Sequence, residues 1–89
     1  MRVLFDKSFL QDIGKVTDQK LKTRISMCIR SIEEAESLTE IPHLSKMKGH
    51  AFAYRIRLGD YRIGLFKEKE VVKFIRVLHR KDIYTFFPP

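Results

Sequence analysis

Eighty-nine residues, 44% hydrophobic and 11% aromatic, suit one globular domain with a single modest core and leave no room for two. No Ser, Gly or Pro tract reads as a linker, and no apolar run is long enough to span a bilayer or serve as a signal peptide. The chain is therefore expected to be cytoplasmic, with no membrane partner. The formal charge of +7 is unevenly spread: residues 1–45 hold seven basic and seven acidic side chains, residues 46–89 eleven and four. A basic half of this kind attracts phosphate polymers or an acidic protein. The one cysteine, Cys28, excludes an internal disulfide and a cysteine-only metal site, and its apolar neighbours at helical spacing mark it as a core thiol.

The first element is a short strand, Arg2-Val3-Leu4-Phe5, closed by Asp6 and Ser8, either of which can cap a helix. Phe9, Ile13 and Val16 then recur at helical spacing, with Leu10 beside them and Gly14 weakening the segment. Thr17-Asp18 offers the next cap. Leu21, Ile25, Cys28, Ile32 and Ala35 step by four, three, four and three, which predicts an amphipathic helix over 18–37. Its other face, with Lys20, Lys22, Arg24, Arg30, Glu33 and Glu36, is the solvated side. Ile41-Pro42-His43 breaks the pattern, and a loop is expected from Leu44 to His50.

Tyr54 to Leu65 reads as a β-hairpin about the two-residue turn Gly59-Asp60. Counting outward pairs Leu58 with Tyr61, Arg57 with Arg62, Ile56 with Ile63, Arg55 with Gly64 and Tyr54 with Leu65. Alternation puts the apolar members of these pairs on one face and Arg55, Arg57 and Arg62 on the other. Arg57 directly opposite Arg62 is a destabilising like-charge pair, and an anion between them would relieve it. A third strand, Val71 to Leu78, follows the polar turn Lys67 to Glu70. The expected fold class is α+β: two N-terminal helices on one face of a four-stranded, mostly antiparallel sheet, with 1–89 as a single domain. His79 to Pro89 is too Pro-terminated to add a helix.

The face left open by the helices holds Arg55, Arg57 and Arg62, with Arg76 and Arg80 alternating along the neighbouring strand. Guanidinium forks suit phosphate. Gly64, opposite Arg55, clears bulk so that a backbone or base can approach the sheet. Long basic side chains also decorate solvated strands; against that plain reading, all three hairpin positions are Arg and no acid in the strands offers a partner. Among the histidines, His43 and His50 read as solvated loop residues. His79 is beside Arg80 and just ahead of Tyr84, where it can move a proton near the arginine face. The histidines lack short ligand spacing, so neither metal nor cofactor is expected, and no Walker loop, Ser-His-Asp set or carboxylate pair is present. What remains is cationic phosphate chemistry or plain binding.

Leu44-x-x-Met47-Lys48-Gly49, the Tyr54-to-Ile63 hairpin and Val77-Leu78-His79-Arg80-Lys81-Asp82-Ile83-Tyr84, in that order, resemble the RelE/ParE toxin superfamily of type II toxin–antitoxin modules over nearly the whole chain. The resemblance implies a small microbial RNase-like fold, neutralised by a cognate antitoxin. For the RelE branch it implies a toxin that enters the ribosome and cuts messenger RNA with cationic side chains and no metal. The family's basic and tyrosine positions fall on Arg55, Arg57, Arg62, Arg80 and Tyr84. Arg57 and Arg62 would clamp the scissile phosphate, Arg55 would orient the backbone, and Arg80 would neutralise or protonate the leaving group. The family often has lysine at the first pair; arginine is a poor proton acceptor, which leaves His79 or Tyr84 as the base. Lys46, Lys48, Arg76 and Lys81 join Arg55 as expected RNA contacts.

Two other functions fit the same residues. The ParE branch inhibits DNA gyrase and cuts nothing, and its members usually lack the full arginine and tyrosine set. A non-catalytic module would hold RNA or an acidic peptide by charge alone. Phe66 and Phe74 are candidates for the arginine face, and with Phe86-Phe87 they would offer an apolar surface for the antitoxin to cover.

Overall fold

The computed structural model describes all of residues 1–89. The elements run β1 (Arg2–Phe5), α1 (Lys7–Gly14), α2 (Gln19–Glu34), a 3-10 turn (Leu38–Glu40), β2 (Leu44–Lys46), β3 (Ala53–Leu58), β4 (Tyr61–Glu68), β5 (Val71–His79) and α3 (Ile83–Phe86). They form one five-stranded sheet of order β1-β5-β4-β3-β2. β1 pairs with β5 in parallel; every other pair is antiparallel. No helix is long and apolar enough to cross a membrane.

Local chemistry sets the helix ends. Asp6 caps α1, accepting from the Ser8 amide at 3.1 Å and the Ser8 hydroxyl at 2.6 Å, and these bonds hold its carboxyl below the usual carboxylate range. Asp18 caps α2 by accepting from the amides of Lys20 and Leu21. α2 stops at Glu34, short of residue 37. The Met1 ammonium donates to the carbonyls of Ile32, Glu33 and Ala35 at 3.2, 2.7 and 3.1 Å, placing a cation where the helix dipole is negative.

Phe9, Leu21, Ile25 and Ile32 come down from the helices onto Ile56, Ile63, Leu65, Val72, Phe74 and Val77, and this set is the main core. The hairpin alternation behaves as the sequence predicts: Ile56, Ile63 and Leu65 are buried, and Tyr54, Leu58 and Tyr61 pack at the margin of the same core. The Cys28 thiol also packs there, and burial pushes it up to about 11. It is a neutral thiol at physiological pH, not a nucleophile.

Three features depart from the sequence reading. First, Leu44–Lys46 is a fifth strand, not loop, paired with Tyr54 to Ile56 of β3. Second, the register of β4 with β5 slips between Gly64 and Leu65, so that Gly64 pairs with Arg76 but Leu65 with Phe74. The slip leaves Ile75 as an extra residue, a β-bulge that reverses the alternation along β5. Phe74 therefore lies in the main core against Phe9 and Phe5 and not on the arginine face. Third, the C-terminal segment turns back as α3 across the second face of the sheet. Met47, Ala53, Ile75, Ile83 and Phe87 bury there, with Phe66 and Leu78 against them.

Phe87 explains Gly64. Phe87 is 1% exposed, and a Cβ on Gly64 would lie 2.5–2.7 Å from three atoms of its ring. The glycine admits a side chain of the same protein, not a ligand. Phe66 packs on the same ring at 5.4 Å between centroids, so of the aromatic surface expected for an antitoxin only Phe86 stays half exposed. Gly64→Ala overpacks this second core and is expected to cost about 1–3 kcal/mol, measured as a lower urea midpoint with unchanged m-value.

Candidate active site on the arginine face

The turn of the hairpin fixes the site. Gly59 takes φ +59°, the left-handed conformation that a primed two-residue turn asks of its first residue. Arg57 then pairs with Arg62 and Arg55 with Gly64, while Ile56 and Ile63 bury on the helix side. The three arginines project from the opposite face.

The opposed guanidinium groups turn apart. Arg62 Nη1 folds back to donate to the carbonyls of Gly59 (2.7 Å) and Tyr61 (2.9 Å), and Arg57 Nη2 lies 3.3 Å from Nδ1 of His43. Carbonyl dipoles and an imidazole thus engage the two opposed guanidinium groups. Because a guanidinium only donates, His43 accepts at Nδ1, and its neutral form carries the proton on Nε2. His43 is the exposed turn residue that the sequence suggests, and its imidazole lies beside Arg57. Its φ of +63° is uncommon outside glycine, and its carbonyl accepts from the Arg57 amide at 3.1 Å, extending the β2–β3 ladder by one pair. Only the pairing of β2 reveals this placement.

Tyr84 reaches the same face from α3, with the Arg55 guanidinium carbon 5.6 Å from its ring centroid, a cation–π contact. Arg55, Arg57, Arg62 and Tyr84 are thus brought together. Arg80 stands at the hairpin tip, its amide donating to the Asp60 carbonyl at 2.7 Å and its Nε 3.9 Å from the Asp60 carboxylate, both side chains exposed. Lys46 is exposed on β2, Lys48 in the turn after it, and Lys81 beyond β5.

His79 does not share the sheet face of Arg55, Arg57 and Arg62. It pairs with Tyr61 across β4 and β5 and meets the Tyr61 ring edge-on at 5.5 Å. Tyr61 packs against the main core, so this imidazole lies on the helix side of the sheet, its Nδ1 accepting from the Lys81 amide at 3.2 Å.

Arg76 is engaged elsewhere. Its Nε and Nη2 donate to the two carboxylate oxygens of Asp12 at 2.7 and 3.0 Å, a bidentate fork, and Asp12 also accepts from the Val77 amide at 3.0 Å. The bond to Asp12 pushes the Arg76 guanidinium further above its ordinary value. The partner that the strands lack comes from α1. Asp12 is 6% exposed, and its sequence signal is an acid one turn after Phe9 on the apolar side of a helix, where a carboxylate must find donors. Arg76 is thereby not a free charge for RNA.

The family described as "ParE toxin of type II toxin-antitoxin system, parDE" matches residues 3–84. The chain is 40% identical to Toxin RelE3 of Methanocaldococcus jannaschii over 89 residues, covering 99% of this chain and 100% of that one. It superposes on the toxin in the RelB–RelE complex from Methanococcus jannaschii with TM-score 0.82 at 39% identity, covering 96% of this chain and 99% of that one. For the archaeal RelE–RelB complex from Pyrococcus horikoshii OT3 the values are 0.70 and 25%, over 89% and 93%. The fold and these relatives together define a RelE/ParE-superfamily toxin. Within that class the chain belongs to the ParE toxin family of type II toxin–antitoxin systems.

Proposed function

We propose that this toxin is a ribosome-dependent endoribonuclease that cleaves messenger RNA by attack of the 2′-hydroxyl on the adjacent phosphate, and that a cognate antitoxin restrains it. The observation that carries the reading is the set of Arg55, Arg57 and Arg62 on one sheet face with Tyr84 leaning on Arg55. In the reaction the 2′-oxygen bonds to phosphorus as the bond to the next nucleotide's 5′-oxygen breaks, leaving a 2′,3′-cyclic phosphate and a 5′-hydroxyl. Negative charge grows on the non-bridging oxygens and on the leaving oxygen. Arg57 and Arg62 swing from His43 and the turn carbonyls onto the former, since exposed neutral acceptors are readily exchanged for a phosphate. Arg80 neutralises the latter, and Arg55 holds the backbone.

Tyr84 relays the 2′-proton, preferred to His79 because it shares the arginine face: its phenolic oxygen accepts that proton as its own passes through water to the leaving 5′-oxygen, which becomes the 5′-hydroxyl. The relatives support the reading by kind: Toxin RelE3 at 40% identity, and RelE toxins solved with RelB. An antitoxin carboxylate is the natural occupant of the arginines at rest.

The test is to add the purified toxin to a translating extract and map messenger RNA ends, with a gyrase supercoiling assay beside it. Breaks in register with codons that require ribosomes are the expected result. Inhibited supercoiling with intact RNA would instead establish the alternative gyrase reading, and neither effect would leave a binding module.

A further inference from the structure

Arg55, Gly64 and Arg76 form one row across β3, β4 and β5, Gly64 pairing with an arginine on each side. The C-terminal segment answers this row with three aromatic rings. Phe87 fills the space over Gly64, Tyr84 lies against Arg55 at 5.6 Å, and Phe86 lies against Arg76 at 5.4 Å. Ile83 and Phe87 anchor the segment inward, but two buried side chains four residues apart define an axis and leave rotation about it to be set by what flanks them. The flanks are the two cation–π contacts. Arg55 is free to leave Tyr84 when it binds a backbone phosphate. Arg76 is not, because Asp12 holds its fork at 2.7 and 3.0 Å and fixes its guanidinium over the Phe86 ring.

We infer that Arg76, locked by Asp12, is a positioning residue: the seat it gives Phe86 sets the rotation of α3 and so keeps Tyr84 on the arginine face. This rests on the proposed nuclease reading for its consequence in catalysis, but the placement of Tyr84 is observable without it. The contact is weak as a stabiliser, since cation–π pairs at exposed sites contribute little to stability and Phe86 is half exposed. Small displacements of a reacting group are costly in rate, roughly a hundredfold for 1 Å. A geometric role and a structural one are therefore separable.

Phe86→Leu keeps apolar bulk and removes the π-face, and Phe86→Tyr keeps the face. In Phe86→Leu the nuclear Overhauser contacts between the Tyr84 ring and the Arg55 side chain are expected to weaken or vanish, and kcat for cleavage to fall roughly 10- to 100-fold at unchanged KM. The thermal midpoint moves by no more than a few degrees, and Phe86→Tyr restores both readouts. Retention of the Tyr84–Arg55 contacts in Phe86→Leu, or a Phe86→Tyr protein that behaves like Phe86→Leu, overturns the inference. A wild-type protein that cuts no messenger RNA overturns the nuclease reading alone, and the magnetic-resonance comparison still decides whether Phe86 places Tyr84.

Discussion

Arg62→Ala is expected to lower messenger RNA cleavage by about 10²–10³-fold, the loss seen when one fixed donor to a developing oxyanion is removed, while the protein stays folded. Both halves of that expectation follow from where Arg62 sits. Its side chain is outside both cores, and its own hydrogen bonds go to the carbonyls of Gly59 and Tyr61. Deleting it frees those carbonyls to water and costs at most about 1 kcal/mol. In the proposed reaction the same guanidinium is one of two that flank the phosphate, and neither neighbouring arginine can replace it, since Arg55 is two pairs removed on β3 and Arg76 of β5 is bound to Asp12. Arg62→Lys keeps a charge but not the planar fork and should recover only part of the rate. Arg57→Ala with Arg62→Ala should lose less than the product of the single losses, because the two act on one charge. A folded Arg62→Ala protein that cleaves at the wild-type rate would sink the assignment.

The second large effect is on stability. Asp12→Ala removes three hydrogen bonds from a site that is 6% exposed and strands a guanidinium that is itself largely covered, its side chain 23% exposed. Breaking one partner of a buried ion pair costs about 3–5 kcal/mol, a large part of what a domain of this size has. At roughly 4–8 °C per kcal/mol, the thermal midpoint should fall by well over 10 °C. The sharper check is the double variant Asp12→Leu with Arg76→Met, which removes both charges and should recover most of the loss. If Asp12→Ala alone leaves the midpoint in place, the fork is not holding α1 to β5.

The hairpin was legible in the sequence down to the pairing of Arg57 with Arg62, because a two-residue turn beside strict alternation leaves one register. The long helix was legible for the same kind of reason, a regular apolar stripe ended by local caps. What escaped depends on contacts distant in sequence. Leu44–Lys46 has no alternation of its own and becomes a strand only because β3 offers it an edge; with it went the placement of His43 beside Arg57. The bulge at Ile75 has no turn residue to announce it, and it moved Phe74 into the main core. Gly64 looked like room for a ligand, whereas Phe87, twenty-three positions later, occupies that room. The face shared by Arg55, Arg57 and Arg62 was legible, but whether each arginine is free was not, since Arg76 answers to an acid on a helix sixty-four residues earlier.

The order in which the strands are made differs from the order in which they lie. β5 is synthesised last among the strands yet sits between β1 and β4, and it is the strand that β1 pairs with. A chain interrupted before residue 71 lacks Val72, Phe74 and Val77 from the main core and Ile75, Ile83 and Phe87 from the second. Its first strand has nothing to join, and Arg55 has no Tyr84 beside it. Closing a contact across most of the chain is also the slow step for a topology of this kind. The wiring of the sheet thus makes completion late: both cores, and the row of Arg55, Gly64 and Arg76 with the aromatic rings that face it, close only when residues 71–87 are in place.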